Sequence, residues 1–178
     1  MPIEVPDCHC VLCQELTELD WRTRTTADTV IEHGWQVLMV PADDAGPGWA
    51  YTIGLWHKHG LPELAMFGLD ARVMHQLLND LAKAAVNGEP AAADQERHGI
   101  VKGYPVVLKS VDYRWYEAFF GTAIGFYRRP PFDFLQVVWP SRDGAFPWQP
   151  GGDDLLNRQP RLWLHPDEHP VGVWTQDL

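Results

Sequence analysis

The chain has 178 residues, of which 46% are hydrophobic, and its formal net charge is −10 at pH 7. This length and hydrophobic content suffice for one well-packed core, so a single domain over residues 1–178 is predicted. The acidic excess repels phosphate backbones and anionic lipid, which excludes nucleic acid and membrane surfaces as expected partners.

Targeting signals are also missing from the sequence. No stretch has the length of an apolar membrane span, and Met1–Asp7 lacks the basic and apolar regions of a signal peptide. A soluble cytoplasmic protein is therefore predicted, and a reducing cytoplasm keeps thiols available for metal. A small molecule is the partner class left open, and nothing in the sequence specifies an oligomeric state.

All three cysteines lie in the N-terminal segment, residues 1–20, within the run Cys8-His9-Cys10-Val11-Leu12-Cys13. A proline and an aspartate precede the run and polar residues follow it, which is typical of a surface turn. Thiolates bind soft and borderline metals, and the C-x-C-x2-C spacing lets a turn direct three sulfurs at one ion. We predict a metal site with Cys8, Cys10 and Cys13 as ligands, for zinc or alternatively for iron.

Two other interpretations of the cysteines stay open. Cys10 and Cys13 form a C-x2-C pair, the spacing found in redox-active thiols. Against a redox role, a thioredoxin-like motif opens a helix after a strand, and no strand is expected before residue 8. Buried cysteines also behave as small hydrophobic residues, so the cluster could serve packing alone.

A closed zinc site needs a fourth ligand, and the chain has eight histidines. His9 is disfavoured because its two neighbouring cysteines occupy the inward side of the turn. His57 and His59 are favoured because they lie in a glycine-bounded loop beside the strongest strand pattern, and His165 and His169 are next in line. A histidine from a distant segment would tie the N-terminus to the domain body.

The α+β core, residues 21–145, begins with a predicted helix from residue 20 to residue 33 that ends at Gly34. Three apolar runs of strand length follow, at residues 35–40, 49–55 and 63–67, and short loops favour an antiparallel meander. Asp70 then caps the clearest helix of the sequence, which runs to residue 86. The inward positions expected on the first helix are Trp21, Ala27, Val30 and Ile31.

The second half of the core is less regular. Residues 89–99 are alanine-rich and acidic and are predicted to form a mobile loop. Strands are predicted at residues 104–111 and 134–139, on either side of a helix over residues 113–127 that Gly121 and Gly125 weaken. These elements predict a mainly antiparallel sheet of about five strands with two or three packing helices.

The C-terminal segment, residues 146–178, is rich in proline, glycine and tryptophan. This composition builds little regular structure, but it is too apolar for a disordered tail. We predict an irregular segment that wraps the domain body.

Two further groups carry candidate chemistry. Glu63 begins an apolar strand beside the His57 and His59 loop, so the three could form a metal site or a general acid–base set. In the alternative interpretation, Glu63 binds backbone N–H groups and the histidines face water. Arg128 and Arg129 are candidates for binding a carboxylate or phosphate, or they satisfy local ion pairs.

Several short segments occur in an order that resembles a bacterial domain-of-unknown-function family, number 4262. They are Tyr-Thr-Ile-Gly-Leu at 51–55, Pro-Glu-Leu at 62–64, Phe-Gly-Leu at 67–69, Gln-Val-Val-Trp-Pro at 136–140 and Phe-Pro-Trp at 146–148. A His-Gly-Trp element at 33–35 also matches, so the resemblance spans roughly residues 28 to 150. It implies one compact α+β domain and carries over no reaction and no catalytic residue.

The sequence therefore favours a cytoplasmic metal-binding domain whose reaction is not indicated. It does not decide whether the protein is an enzyme, and it contains no phosphate-loop, dinucleotide or serine-hydrolase motif. The alternative is a non-enzymatic module that binds a small molecule or a protein through aromatic residues, with redox-active or structural cysteines. An enzyme would hold a polar cluster in a concave pocket, whereas an interaction module would present a flat apolar patch.

Overall fold

A six-stranded mixed sheet forms the centre of the computed structural model, which describes residues 7–15 and 17–176. The strands are β1 (Gln36–Val40), β2 (Trp49–Ile53), β3 (Glu63–Phe67), β4 (Glu96–Val101), β5 (Tyr104–Ser110) and β6 (Phe134–Val138). The sheet order is β1-β2-β3-β6-β5-β4; β3 and β6 pair in parallel, and the other four pairs are antiparallel. The predicted α+β class and the antiparallel meander β1–β3 are confirmed, with one strand more than expected.

Five α-helices accompany the sheet within the described part of the chain. The two long helices have the caps that the sequence predicts: Gly34 ends the first helix with a φ of 94°, and the Asp70 carboxylate accepts N–H groups in the first turn of the second. The Asp20 carboxylate also accepts N–H groups at the start of the first helix. The helices are α1 (Trp21–His33), α2 (Leu55–His59), α3 (Ala71–Val86), α4 (Tyr116–Phe119) and α5 (Gly121–Tyr127).

The sheet separates two hydrophobic cores. Along β3, Leu64 and Met66 pack under α3, whereas Ala65 and Phe67 face the core that contains residues of α1 and α5. Every residue of β3 and β6 is buried, because elements cover both faces of these central strands. The N-terminal turn joins the second of these cores.

Two predicted inward positions on α1 are wrong. Ala27 and Val30 are buried, but Trp21 and Ile31 are 72% and 65% exposed. The helix is short of apolar residues along any one face, so periodicity did not define its buried side.

The expected mobile loop at residues 89–99 is wrong in its second half, because β4 begins at Glu96. β4 pairs with β5 through Glu96 and Val107 and through Arg97 and Val106. It lies at the edge of the sheet and begins with three polar residues followed by a glycine, so it lacks the apolar pattern by which a buried strand is recognised.

The loop after β2 and the helix over residues 113–127 also differ from prediction. Residues 55–59 form α2 between Gly54 and Gly60, whose φ angles are 117° and 64°. The later helix is interrupted at Phe120, with φ −124° and ψ 39°. The Phe120 ring stacks on Phe134 of β6 with centroids 4.0 Å apart, and this core contact accompanies the break between α4 and α5.

The C-terminal segment wraps the domain as predicted. The indole N–H of Trp115 links the body to it by donating to the Leu164 carbonyl at 2.8 Å, and within the segment Trp174 donates to the Leu156 carbonyl at 2.7 Å. Leu162 is fully buried, and the Gln136 amide of β6 donates to the Pro160 carbonyl at 2.8 Å. The tail therefore completes the core that contains α5.

Candidate metal centre

The cysteine segment is a series of tight turns that packs against α5. The Val11 N–H donates to the Phe126 carbonyl at 2.9 Å, and the Gln14 N–H closes the turn on the Cys10 carbonyl at 3.0 Å. Cys10 and Val11 are buried, Cys8 is half-buried and Cys13 is exposed. The expected surface turn is therefore present, with its centre anchored in the core. Residues 1–6, to which most of the signal-peptide prediction applies, lie outside the described residues.

His57 of α2 reaches into this turn. Its Nδ1 lies 3.1 Å from the Cys10 sulfur, 3.3 Å from the Cys13 sulfur and 3.8 Å from the Cys8 sulfur. The three Sγ atoms and the His57 Nδ1, which we call the Cys–His cluster, all lie within 4.8 Å of one another. Around a tetrahedral zinc ion, with Zn–S and Zn–N bonds of ~2.3 and ~2.0 Å, neighbouring sulfur and nitrogen ligands are ~3.5 Å apart.

The other candidate histidines lie outside the Cys–His cluster. His165 Nδ1 accepts the Asp167 N–H at 3.1 Å, and His169 Nε2 accepts the Arg161 N–H at 2.9 Å. His59 follows His57 by two positions on α2, and its ring atoms are not among the clustered ligand atoms.

His9 also lies apart from the clustered ligand atoms, and its ring faces a basic residue. The Arg129 guanidinium approaches the His9 Nδ1 at 3.2 Å. Within the described chain, neither Arg129 nor its exposed neighbour Arg128 forms an ion pair with Asp133. Anion binding by the two arginines stays a prediction.

The proximity of the sulfurs makes their ionisation unequal. A hydrogen bond from the Cys10 thiol, together with a weaker effect of the hydrogen bond from His57, lowers the pKa of Cys8 to about 4. Burial acts in the opposite direction. The hydrogen bond to Cys8 and burial raise the pKa of Cys10, and burial raises that of Cys13. Ionisation of the Cys8 thiol is thus favoured, and ionisation of the other two thiols is opposed. A cation among the sulfurs would favour ionisation of all three.

Beneath α2, a buried hydrogen-bond network surrounds Glu63. Its carboxylate accepts the Thr52 hydroxyl at 2.6 Å, the Gly54 N–H at 2.8 Å and the Trp56 N–H at 3.2 Å. The Tyr127 hydroxyl also donates to it. Burial raises the pKa of Glu63, and these donated hydrogen bonds oppose that rise.

The network positions the segment that carries His57. The Tyr127 oxygen accepts N–H groups of Gly54 at 3.0 Å and of His57 at 3.4 Å. Glu63 and Tyr127 thus satisfy backbone donors at the start of α2. The backbone-binding interpretation of Glu63 describes these contacts, and both carboxylate oxygens are already occupied by protein donors.

Sequence reasoning missed Thr52 and Tyr127 as part of this network. The available signal was Glu63 itself, a carboxylate inside an apolar strand, which requires several donors when it is buried. That signal predicts that hydrogen-bond partners exist. Thr52 on β2 and Tyr127 on α5 are apart from Glu63 in the sequence, and only the fold brings them to it.

A separate groove of about 700 Å³ lies between α1, the β1–β2 strands and the α4–α5 segment. Trp49 and Tyr51 of β2 line it, together with threonines of α1. Trp21 lies at its edge and is 72% exposed. The residues lining this groove include none of the four residues of the Cys–His cluster.

Fold and site together define an α+β protein in which a cysteine turn and a histidine from the sheet body form one cluster. The chain belongs to the family described as Domain of unknown function (DUF4262), whose model matches residues 29–153. Comparison with curated proteins and with solved structures found no match. His57, Glu63 and Tyr127 lie within the matched segment, and the three cysteines precede it.

Among the residues that the structure describes, none of the helices combines the length and the apolar character needed to cross a bilayer.

Proposed function

We propose that this protein binds one zinc ion through the sulfurs of Cys8, Cys10 and Cys13 and the Nδ1 of His57. The observation that carries the proposal is the convergence of these four atoms within 4.8 Å. The distances from Nδ1 to the sulfurs, 3.1 to 3.8 Å, bracket the ~3.5 Å expected between the sulfur and nitrogen ligands of a tetrahedral zinc site.

The donor set favours zinc over the other metals considered. Three thiolates and one imidazole form a common structural zinc set, whereas iron–sulfur clusters are typically held by four cysteines. Bound zinc would allow all three sulfurs to ionise, because its double positive charge offsets their mutual repulsion.

The role that we assign to zinc is structural. Four protein ligands complete the tetrahedron and leave no coordination position for a substrate or an activated water. The ion would join the N-terminal turn to α2, so its binding free energy would add to the stability of the folded chain. A thiolate site of this kind requires reduced cysteines, so we also propose a reducing compartment, the cytoplasm.

Elemental analysis of protein purified without an affinity tag tests this proposal. The wild type is expected to contain about one equivalent of zinc, and C8S, C10S, C13S and H57A are each expected to lose most of it because a tetrahedral site tolerates no missing ligand. H59A is the matched control, since His59 lies on the same short helix outside the cluster, and it should keep its zinc.

Folded wild-type protein that contains no zinc and takes up none on addition would refute the proposal. Full zinc content in H57A would refute the assignment of the fourth ligand. Iron in place of zinc would overturn the metal identity.

We also propose, as a second candidate function, that the groove beside α1 binds a small organic molecule. Its volume of about 700 Å³ lies within the range of ligand sites, and an exposed Trp21 stands beside buried aromatic residues. A fragment screen by NMR should shift the indole signals of Trp21 and Trp49. A screen in which neither signal moves would contradict this function.

A further inference from the structure

The three sulfurs of the Cys–His cluster differ in their access to solvent. Cys13 is exposed and Cys8 is half-buried, whereas Cys10 has no exposed surface. A dissolved oxidant therefore reaches Cys13 first. A zinc site that served only as a permanent clamp would gain from burial of all three thiolates.

A second thiolate lies within reach of the first. All ligand atoms of the cluster are within 4.8 Å of one another, so an oxidised Cys13 would have two neighbouring sulfurs. Cys10 is held in place by its burial and by the Val11 hydrogen bond to Phe126 at 2.9 Å. Cys8 is only half-buried, so fewer packing contacts oppose its movement toward Cys13.

We propose that the zinc site is a peroxide-sensitive switch in which oxidation joins Cys13 to Cys8, expels zinc and releases the N-terminal turn. This inference rests on the proposed function. It adds a mode of regulation to the same four ligands.

The chemistry balances with a peroxide as the oxidant. The Cys13 thiolate attacks one peroxide oxygen, the O–O bond breaks, and a sulfenic acid and hydroxide form. The Cys8 thiolate then attacks the sulfenic sulfur, the S–S bond forms, and the S–O bond breaks with loss of a second hydroxide. Two protons from solvent convert the hydroxides to water, so two thiolates are oxidised and one peroxide is reduced.

Zinc would leave because two of its four ligands are lost. The turn would then keep only its protein contacts, chiefly the Val11 hydrogen bond and the packing of Cys10 and Val11 against the core. Opening of the turn would uncover the apolar surface around Phe126, which is otherwise fully buried. The output of the switch is therefore exposure of the end of α5.

Hydrogen peroxide added to zinc-loaded wild-type protein tests the proposal, with a coloured chelator reporting released zinc. Zinc content is measured first, so that absence of zinc refutes the proposed function and retention of zinc under peroxide refutes only the switch. Mass spectrometry should find a Cys8–Cys13 disulfide, and a dithiol reductant with added zinc should restore the site. Amide exchange at Val11 and Gln14 should accelerate after oxidation, because both N–H groups are hydrogen-bonded in the closed turn.

C13H is the test variant, in which histidine offers zinc a nitrogen in place of the exposed thiolate, and its zinc content is measured before peroxide is added. Zinc release from the wild type is expected to be at least about tenfold faster than from C13H, since peroxide reaches a bound thiolate only where it is exposed. H59A, whose substituted side chain lies outside the Cys–His cluster, is the matched control and should release zinc at the wild-type rate. If C13H fails to hold zinc, C8H replaces it, because it removes the thiolate that forms the disulfide. Equal release rates in the wild type and the zinc-loaded variant, or oxidation without a Cys8–Cys13 disulfide, would overturn the proposal.

Discussion

At the scale of single residues, Tyr127 connects the buried network to the candidate zinc site. Its hydroxyl donates to Glu63 and accepts N–H groups from Gly54 and His57, so one oxygen serves three partners. These contacts hold the first turn of α2 in the position from which His57 reaches the sulfurs. When a metal ligand is already held in position, ordering of the chain offsets less of the metal-binding free energy.

Replacement of Tyr127 by phenylalanine tests this positioning role. The ring can keep its stacking on Phe132, with centroids 4.7 Å apart, while the hydroxyl contacts are lost. We expect a loss of about 1–3 kcal/mol in the free energy of unfolding, because buried donors lose their partner, together with weaker zinc binding. Chelator competition measures zinc affinity, and denaturant unfolding measures stability.

Y116F is the control for Y127F. The Tyr116 hydroxyl accepts the Phe134 N–H at 3.0 Å and donates to the Phe132 carbonyl at 3.3 Å, away from α2. The Y116F substitution should lower the free energy of unfolding and leave zinc affinity unchanged. Equal zinc affinities in the two variants would show that Tyr127 has only a general structural role.

At the scale of elements, the C-terminal tail depends on a neutral histidine. His169 is 5% exposed, its Nε2 accepts the Arg161 N–H, and its Nδ1 donates to the Pro170 carbonyl at 2.8 Å. Burial lowers the pKa of His169, and the charge of Arg161 adds to this effect. A proton on Nε2 would remove the acceptor that joins two parts of the tail.

Stability should therefore depend on pH through His169. Because the folded pKa is lowered, the contribution is fully present above the unfolded value of 6.5 and is lost as pH falls through the folded value. Wild-type protein should lose more unfolding free energy between pH 7 and pH 5 than H169Q, whose amide oxygen can accept the Arg161 N–H without titrating. Parallel pH profiles from denaturant unfolding would contradict this assignment.

At the scale of the whole molecule, the tail and the sheet share one aromatic core. Trp174 is 7% exposed and packs on Phe67 of β3 and Phe119 of α4, with ring centroids 5.6 and 6.0 Å apart. The tail thus closes the side of the sheet on which the cysteine turn is anchored. Both ends of the chain stabilise the same core.

Removal of the Trp174 side chain should cost about 3–5 kcal/mol of unfolding free energy, because it leaves a large cavity and breaks the hydrogen bond to Leu156. V171A is the control, since Val171 is 95% exposed and should change stability by less than about 0.5 kcal/mol. Denaturant midpoints compare the two variants. A W174A midpoint equal to that of V171A would show that the tail is dispensable to the core.

Local signals in the sequence determined several parts of this protein. Gly34 defined the end of α1, Asp70 and helical spacing defined α3, apolar runs bounded by short loops defined β1 to β3, and cysteine spacing defined the turn at residues 8–13. Each signal lies within a few residues of the structure that it predicts, because capping and turn formation are local interactions. The resemblance to the family was likewise visible in short segments of sequence.

Only the tertiary structure decided the remaining features. It paired β3 with β6 in parallel, added the polar edge strand β4, and brought His57 rather than His59, His165 or His169 to the sulfurs. It also supplied Thr52 and Tyr127 as partners of Glu63. These choices depend on contacts between residues far apart in the chain, and local propensity carries no information on which distant segment packs against which.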